Sequence, residues 1–311
     1  MGEFETRLSS FFNTFSPTLE LVDDLIRKRS HAQEIIILTC SRLDALASTA
    51  SSEDAPKRES FVKFVCNYGQ RRRFFSKVSV GDLYYEFAYH DFLLSNGILI
   101  DAGRLFRYSR EADDVLRFID YSDIPLVDKL VEHMFSKVMS ALSSSFHVKP
   151  GQSLAKSHTA SVNEVLRCIT NSLERSRLRK FGKPISEAIK PLIKTKVTAR
   201  ILYERFRSEV IHSGHVQIDN KRFFSENLPY WTPFYRREYG TWLLLEFPAK
   251  FLRSLLERCI KTYKHHLIVK GVVPVGIHWL VFGEDSRKNL RYMDDQTFGE
   301  YGTARLRLSS R

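Results

Sequence analysis

The feature that most constrains the fold of this chain is the spacing of its apolar residues, which recur every three or four positions over long stretches. This is the period of a helix that buries one face. The clearest run is Leu126, Leu130, Met134, Val138 and Leu142. Similar spacing predicts one helix or two in series over 17–46, and further helices over 59–69, 81–97, 161–183, 183–194, 195–212 and 248–270. We therefore predict a mainly α fold of helical bundles, with minor β near residues 97–110 and 271–282.

Residues 97–122 interrupt this pattern, because they combine short apolar runs with glycine and charge. A domain boundary is predicted there, giving an N-terminal helical domain over 1–122 and a C-terminal helical domain over 123–311. The segment 223–247 is crowded with aromatics, prolines and arginines. It is interpreted as an irregular loop packed on the helical core, or else as a surface where aromatic and arginine side chains stack on single-stranded nucleic acid.

The chain is basic, because 48 Lys and Arg residues outnumber 36 Asp and Glu residues, for a formal charge of +12. Such an excess favours a polyanionic partner, with nucleic acid ahead of an anionic membrane surface. Cations crowd into residues 175–183, where we interpret them as phosphate contacts or as a solubilising face. Two further cations lie in the aromatic segment. The candidate RNA-binding residues are Arg175, Arg177, Arg179, Lys180, Lys183, Arg236 and Arg237.

The four cysteines are far apart and form no CxxC pair, so they are predicted to be buried helix thiols in a reducing compartment. No leader-like block is visible, and no apolar run approaches the ~20 residues that cross a bilayer. A cytoplasmic location without membrane contact is expected. Because the sequence lacks the motifs of ATPases, serine hydrolases, zinc peptidases and dinucleotide enzymes, no metal and no cofactor is predicted.

Residues 201–215 combine a helix, its stop signal and a cluster of polar side chains. Leu202, Phe206 and Val210 form one apolar ridge on an ideal helix, with Ala199 beside them. Gly214 follows as a left-handed cap. The polar cluster at this helix end comprises Arg205, Arg207, Ser208, Glu209 and His212.

The run from Arg207 through Ser208 to His212 resembles the signature of the HEPN superfamily (higher eukaryotes and prokaryotes nucleotide-binding). In that signature an Arg, usually followed by a polar residue, is separated from a His by four to six residues. Arg205 also fits the spacing, and on an ideal helix it lies ~20° from His212, against ~140° for Arg207. The shorter spacing and the polar follower favour Arg207, and Arg205 is retained as a second candidate. The resemblance covers residues 159–215 and, more weakly, 17–97.

The resemblance implies a metal-independent endoribonuclease, in which the 2′-hydroxyl of the RNA attacks the neighbouring phosphate. In this interpretation His212 moves protons, Arg207 stabilises the phosphorane charge and Ser208 orients His212. The resemblance also implies a homodimer or larger oligomer whose motif helices meet at the site, and a toxin or antiviral defence effector controlled by an antitoxin or sensor protein.

Two other interpretations of the motif are open. One is a non-catalytic helical module that binds nucleic acid or a partner protein. The other is a structural role, in which Arg207 is solvated and His212 caps the helix end, where a cation is stabilised by the last carbonyls.

The segment 81–97 repeats the Leu-Tyr-x-x-Phe pattern of residues 202–206. In the earlier copy Ala88 stands in the place of Arg207, and Leu93 stands in the place of His212. This similarity predicts two bundles in tandem, of which the first is catalytically inactive. Chance similarity between two amphipathic helices is the alternative.

Overall fold

The computed structural model describes residues 3–51, 55–69, 72–84, 86–87, 138–145, 159–175, 190, 193–208, 210, 218–236 and 240–271. Over these residues the protein is mainly helical with two small antiparallel sheets, which confirms the predicted class. The predicted β segment at 97–110 lies outside the described residues, as does the one at 271–282 apart from Gly271. Among the described helices, none has both the length and the apolar composition that a membrane crossing requires.

The secondary structure elements are as follows. In chain order, the helices are α1 (Glu3–Asn13), α2 (Ser16–Lys28), α3 (Ala32–Thr49), α4 (Lys57–Tyr68), α5 (Arg72–Phe75), α6 (Val162–Glu174), α7 (Thr198–Ile201), a π-helix (Leu202–Ser208), α8 (Asn220–Ser225) and α9 (Ala249–Lys270). The strands are β1 (Val78–Ser79), β2 (Thr159–Ala160), β3 (Tyr230–Arg236) and β4 (Gly240–Glu246). Residues 80–84, 86–87 and 138–145 are also helical. The helices predicted over 59–69 and 248–270 are confirmed, and the one predicted over 161–183 is helical to Glu174.

The chain divides into two compact units, and each unit is made of separate stretches of sequence. The first unit combines residues 1–75, 202–229 and 247–311, and the second combines residues 76–201 and 230–246. The chain therefore leaves the first unit after α5, returns to it at the π-helix, and leaves it again for β3 and β4. The domain boundary predicted near residue 122 lies outside the described residues.

Two left-handed residues separate α2 from α3 in the first unit. Arg29 has a φ of 50° and His31 has a φ of 59°, and a right-handed helix cannot continue through such angles. The stretch predicted as one helix or two in series is therefore two helices. Pro17 lies in the first turn of α2, where its missing N–H breaks no hydrogen bond.

Helix α9 is central to the core of the first unit, because it packs against α1, α2, α3 and α4. Its inner face, which includes Leu252, Leu256 and Tyr263, is fully buried. The Tyr263 ring meets Phe12 and Phe64 edge to face, at centroid distances of 5.8 and 5.3 Å. Burying a large apolar side chain contributes about 2 kcal/mol. This face therefore holds α3 and α4 in place, and both of those helices also contact the π-helix.

In the described part of the second unit, residues 77–79 form backbone hydrogen bonds on two sides. On one side, β1 pairs with β2 in antiparallel register. On the other side, the Ser79 N–H donates to the Lys196 carbonyl at 2.8 Å, and the Thr198 N–H donates to the Lys77 carbonyl at 2.9 Å. This second pairing fixes the position at which α7 begins.

Most of the aromatic segment forms two paired antiparallel strands, so the predicted irregular loop is wrong over residues 230–236 and 240–246. Strands β3 and β4 pair from Tyr230 opposite Glu246 to Arg236 opposite Gly240. Pro233 lies within β3, and it is tolerated because every strand of a two-stranded sheet is an edge strand. Pro233 is therefore compatible with a strand at this position.

Buried polar contacts tie the start of this strand pair to the second unit. The Tyr230 hydroxyl donates to the carboxylate of Glu246 at 2.7 Å, and Glu246 is only 2% exposed. The Trp231 indole N–H donates to the Ser79 hydroxyl at 3.1 Å. Because Tyr230 and Trp231 are buried, these two rings do not form the predicted stacking surface for nucleic acid.

Candidate active site around Arg207

The predicted motif helix buries the expected ridge. Leu202 and Phe206 are fully buried, and Val210 is 1% exposed. The Phe206 ring meets Phe247 edge to face, at a centroid distance of 5.1 Å. This packing confirms the apolar ridge and orients the polar side of the same segment.

The motif segment, however, is not the ideal α-helix that its apolar spacing predicted. Residues Leu202–Ser208 form a π-helix, in which hydrogen bonds join residues five apart instead of four. Successive side chains in such a helix turn by less than ~100°. The ideal-helix angles therefore do not apply within Leu202–Ser208, and because His212 lies outside the described residues, the positions of Arg205 and Arg207 relative to it stay a prediction. Short π-helical segments are frequent at functional sites.

Arg207 forms an ion pair with Asp44 of α3. One terminal guanidinium nitrogen of Arg207 donates to the Asp44 carboxylate at 2.8 Å. The side chains are 13% and 18% exposed, respectively, so most of the pair is shielded from water. Because α3 packs against the π-helix, both backbones hold this contact in place. The predicted alternative of a solvated Arg207 is therefore wrong.

An aromatic ring also lies against this guanidinium. Its central carbon lies 5.2 Å from the centroid of the Tyr203 ring, a distance at which a cation is attracted to the ring face. The Tyr203 ring in turn contacts Phe61 of α4, at a centroid distance of 5.2 Å. Arg207 is therefore held by a carboxylate on one helix and by a ring that rests on another.

The ion pair leaves Arg207 with donors to spare. A guanidinium carries five N–H groups, and the hydrogen bond to Asp44 uses one of them. The Nε atom of Arg207 is buried and has no hydrogen-bond partner among the residues that the structure describes. An anionic oxygen, such as that of a phosphate, is the acceptor that best matches a guanidinium, although the buried Nε is not accessible to a ligand from solvent.

The other motif residues have different surroundings. Arg205 is half-buried, and its guanidinium carbon lies 5.6 Å from the centroid of the Phe206 ring. Ser208 ends the π-helix and is half-buried. His212 lies outside the described residues, so its pairing with Arg207 or with Arg205 stays a prediction.

The structure places only part of the predicted RNA-binding surface. Arg175 is exposed and caps the end of α6, where its N–H donates to the Leu173 carbonyl. Arg236 is the last residue of β3. Outside the described residues lie Arg177, Arg179, Lys180, Lys183 and Arg237. The phosphate track over residues 175–183 therefore stays a prediction.

The sequence analysis missed Asp44. Its signal in the sequence is a carboxylate close to Leu43 and Leu46, which are both fully buried. An acidic side chain at such a position needs a partner, since burying an unpaired charge is costly. The sequence alone does not identify that partner, which lies 163 residues away.

Four free thiols are distributed over two environments. Cys40 and Cys259 are buried as predicted, whereas Cys66 and Cys168 are only half-buried. Burial raises the pKa of Cys40 to about 12, so this thiol, one turn before Asp44, is not a nucleophile at neutral pH. Within the described part of the chain, no three His, Cys, Asp or Glu side chains are grouped so that they could hold a metal ion.

Comparison of the chain with protein-family models, with curated proteins and with solved structures found no match. Function is therefore inferred from the residues and contacts of this chain.

Proposed function

We propose that this protein is a metal-independent endoribonuclease of the HEPN type, with a site built around Arg207 and His212. The observation that carries the proposal is that the Arg of the motif is fixed by Asp44 and Tyr203. A preorganised guanidinium stabilises charge that develops on a phosphate better than a mobile one does. The formal charge of +12 also favours RNA as the partner.

The proposed reaction needs no metal and no cofactor. The ribose 2′-oxygen bonds to phosphorus, and the bond from phosphorus to the 5′-oxygen breaks. The 2′-hydroxyl proton passes to a base, and the departing 5′-oxygen gains a proton, so the products are a 2′,3′-cyclic phosphate and a 5′-hydroxyl. His212 takes part in these proton transfers because imidazole titrates near neutral pH. Arg207 stabilises the phosphorane, and Ser208 orients His212.

The proposal includes the architecture implied by the motif. The two Leu-Tyr-x-x-Phe segments bury the same positions, because Leu83 and Phe87 are as fully buried as Leu202 and Phe206. This equivalence supports tandem HEPN-like bundles with an inactive first copy. In the proposed assembly, two copies of the chain bring their motif helices together as a homodimer or larger oligomer. Arg205 is then a second candidate cation of the site.

The direct test uses purified protein and a labelled single-stranded RNA of mixed sequence, with EDTA present. We expect the wild type to produce fragments that end in a cyclic phosphate, and His212→Ala to reduce the rate by about a hundredfold or more. His265→Ala, which changes an exposed histidine of α9, is the matched control and should retain full activity. Equal cleavage by the wild type and His212→Ala contradicts the proposal, as does a wild type that does not cut RNA.

The biological role that we propose is that of a toxin or defence effector, with an antitoxin or sensor protein as the controlling partner. Expression of the wild type should then arrest growth and degrade cellular RNA, whereas His212→Ala should do neither. The rival is a non-catalytic binding module, favoured by the exposed position of Arg175. For such a module, Arg175→Glu with Arg177→Glu would abolish RNA binding, while His212→Ala would change nothing.

A further inference from the structure

Asp44 occupies a position where stability alone does not require a charge. It lies on α3 between the fully buried residues Leu43 and Leu46, and one turn after the fully buried Cys40. Replacing a buried ion pair by well-packed apolar residues is often neutral or even stabilising. A pair of this kind therefore stabilises the fold little, but it does fix where its charged groups lie.

The surroundings of the pair restrict the guanidinium in two ways. The carboxylate of Asp44 fixes one terminal nitrogen of Arg207 at 2.8 Å, and the Tyr203 ring lies 5.2 Å from the guanidinium carbon. An arginine loses considerable rotamer freedom when it binds an anion. In this protein that loss has already occurred on folding, before any substrate arrives.

We propose that Asp44 is a positioning residue, which holds the Arg207 guanidinium in the orientation that meets the scissile phosphate of RNA. This inference rests on the proposed ribonuclease function. Asp44 does not touch the reacting atoms, and it acts through Arg207. The negative charge of Asp44 partly offsets the positive charge of Arg207. It therefore also weakens the attraction of the site for the phosphate of bound RNA before the reaction.

These two effects predict a separation of kinetic parameters in Asp44→Asn. The neutral amide holds Arg207 less firmly, so kcat falls by about tenfold or more. The site also becomes more positive, so KM for RNA stays the same or decreases. Asp44→Glu keeps the charge on a longer side chain and should recover part of kcat. A merely structural residue would not give a lower kcat together with an unchanged or lower KM.

The experiment compares wild type, Asp44→Asn, Asp44→Glu and His212→Ala on a fluorescein-labelled single-stranded RNA of mixed sequence, with EDTA present. Binding is measured separately by fluorescence anisotropy, with Asp44→Asn combined with His212→Ala so that the RNA stays intact. The matched control is Glu204→Gln, which removes a carboxylate of the π-helix paired with Arg58 at 3.5 Å in a more exposed ion pair. Thermal unfolding of each variant shows that it is folded, and Asp44→Glu decides the outcome if Asp44→Asn does not fold.

The expected result is a low kcat with an unchanged or lower KM for Asp44→Asn, partial recovery in Asp44→Glu, and wild-type rates for Glu204→Gln. Full activity of Asp44→Asn overturns the role of Asp44 and leaves the ribonuclease proposal intact. Loss of activity with weaker RNA binding overturns it as well, because that pattern indicates a structural role. If the wild type does not cleave RNA, or if His212→Ala cleaves as fast as the wild type, both proposals fail together.

Discussion

The side chains of Arg207 and Asp44 meet at 2.8 Å although 163 residues separate them in the chain. Both are largely buried, at 13% and 18% exposure, so each charge depends on the other to offset its lost hydration. The pair joins the π-helix to α3 within the first unit. Removing one member of the pair should therefore lower the free energy of unfolding more than removing both.

Arg207→Met should lower the free energy of unfolding by about 2 kcal/mol, because it leaves the Asp44 carboxylate buried without its cation. Adding Asp44→Leu should recover at least half of that loss. Urea unfolding followed by circular dichroism measures both effects. Arg58→Met is the matched control, because its ion pairs with Glu59 and Glu204 are more exposed and its cost should stay below ~1 kcal/mol. Strictly additive single and double changes would contradict the coupling.

Gly69→Ala should destabilise the first unit by about 2 kcal/mol through overpacking. A Cβ atom at Gly69 would lie 2.7 Å from the Val65 carbonyl oxygen and 2.8 Å from Leu255 Cδ1, and the backbone atom cannot move aside. Gly271 is the control, because it has a φ of 59° and open space around a Cβ. Gly271→Asn should cost little, since Asn adopts left-handed angles readily. Thermal unfolding separates the two cases, and equal melting temperatures for both variants would refute the steric argument.

Native protein should expose two reactive thiols out of four. Cys66 and Cys168 are half-buried and should be alkylated by a maleimide within a short exposure. Cys40 and Cys259 are fully buried, and burial raises the pKa of both thiols, so they should react only after unfolding. Mass spectrometry of peptides from the labelled protein reads out each site. Fast labelling of Cys259 in folded protein would show that α9 does not pack as described.

Alkaline pH should destabilise the fold partly through Cys40. Its pKa is raised from the ordinary value of 9.0 to about 12 by burial, so above pH 9.0 the unfolded chain loses a proton that the folded protein keeps. Stability is therefore intact below pH 9.0 and falls as pH rises, by about 1.4 kcal/mol per pH unit for one such group. Urea unfolding at several pH values should show a shallower decline for Cys40→Ala than for wild type. Cys168→Ala should keep the wild-type slope, and an unchanged slope in Cys40→Ala would count against the assignment.

The helical class, the course of α9 and the ridge of Leu202, Phe206 and Val210 were predictable from the sequence. Each depends on a local period, because residues three or four apart share one face of a helix and are buried together. The break between α2 and α3 was only half-predictable. It depends on the left-handed backbone at Arg29 and His31, and neither position carries the glycine that would mark such a conformation in the sequence.

The sequence by itself determined which faces are apolar. The tertiary structure decided that most of the aromatic segment forms two paired strands, that the motif turn is π-helical and that Asp44 faces Arg207. These outcomes depend on contacts between distant residues, such as Trp231 with Ser79 and α3 with the π-helix. No local pattern encodes them, because a strand gains its hydrogen bonds, and a buried charge its partner, only when remote segments pack together.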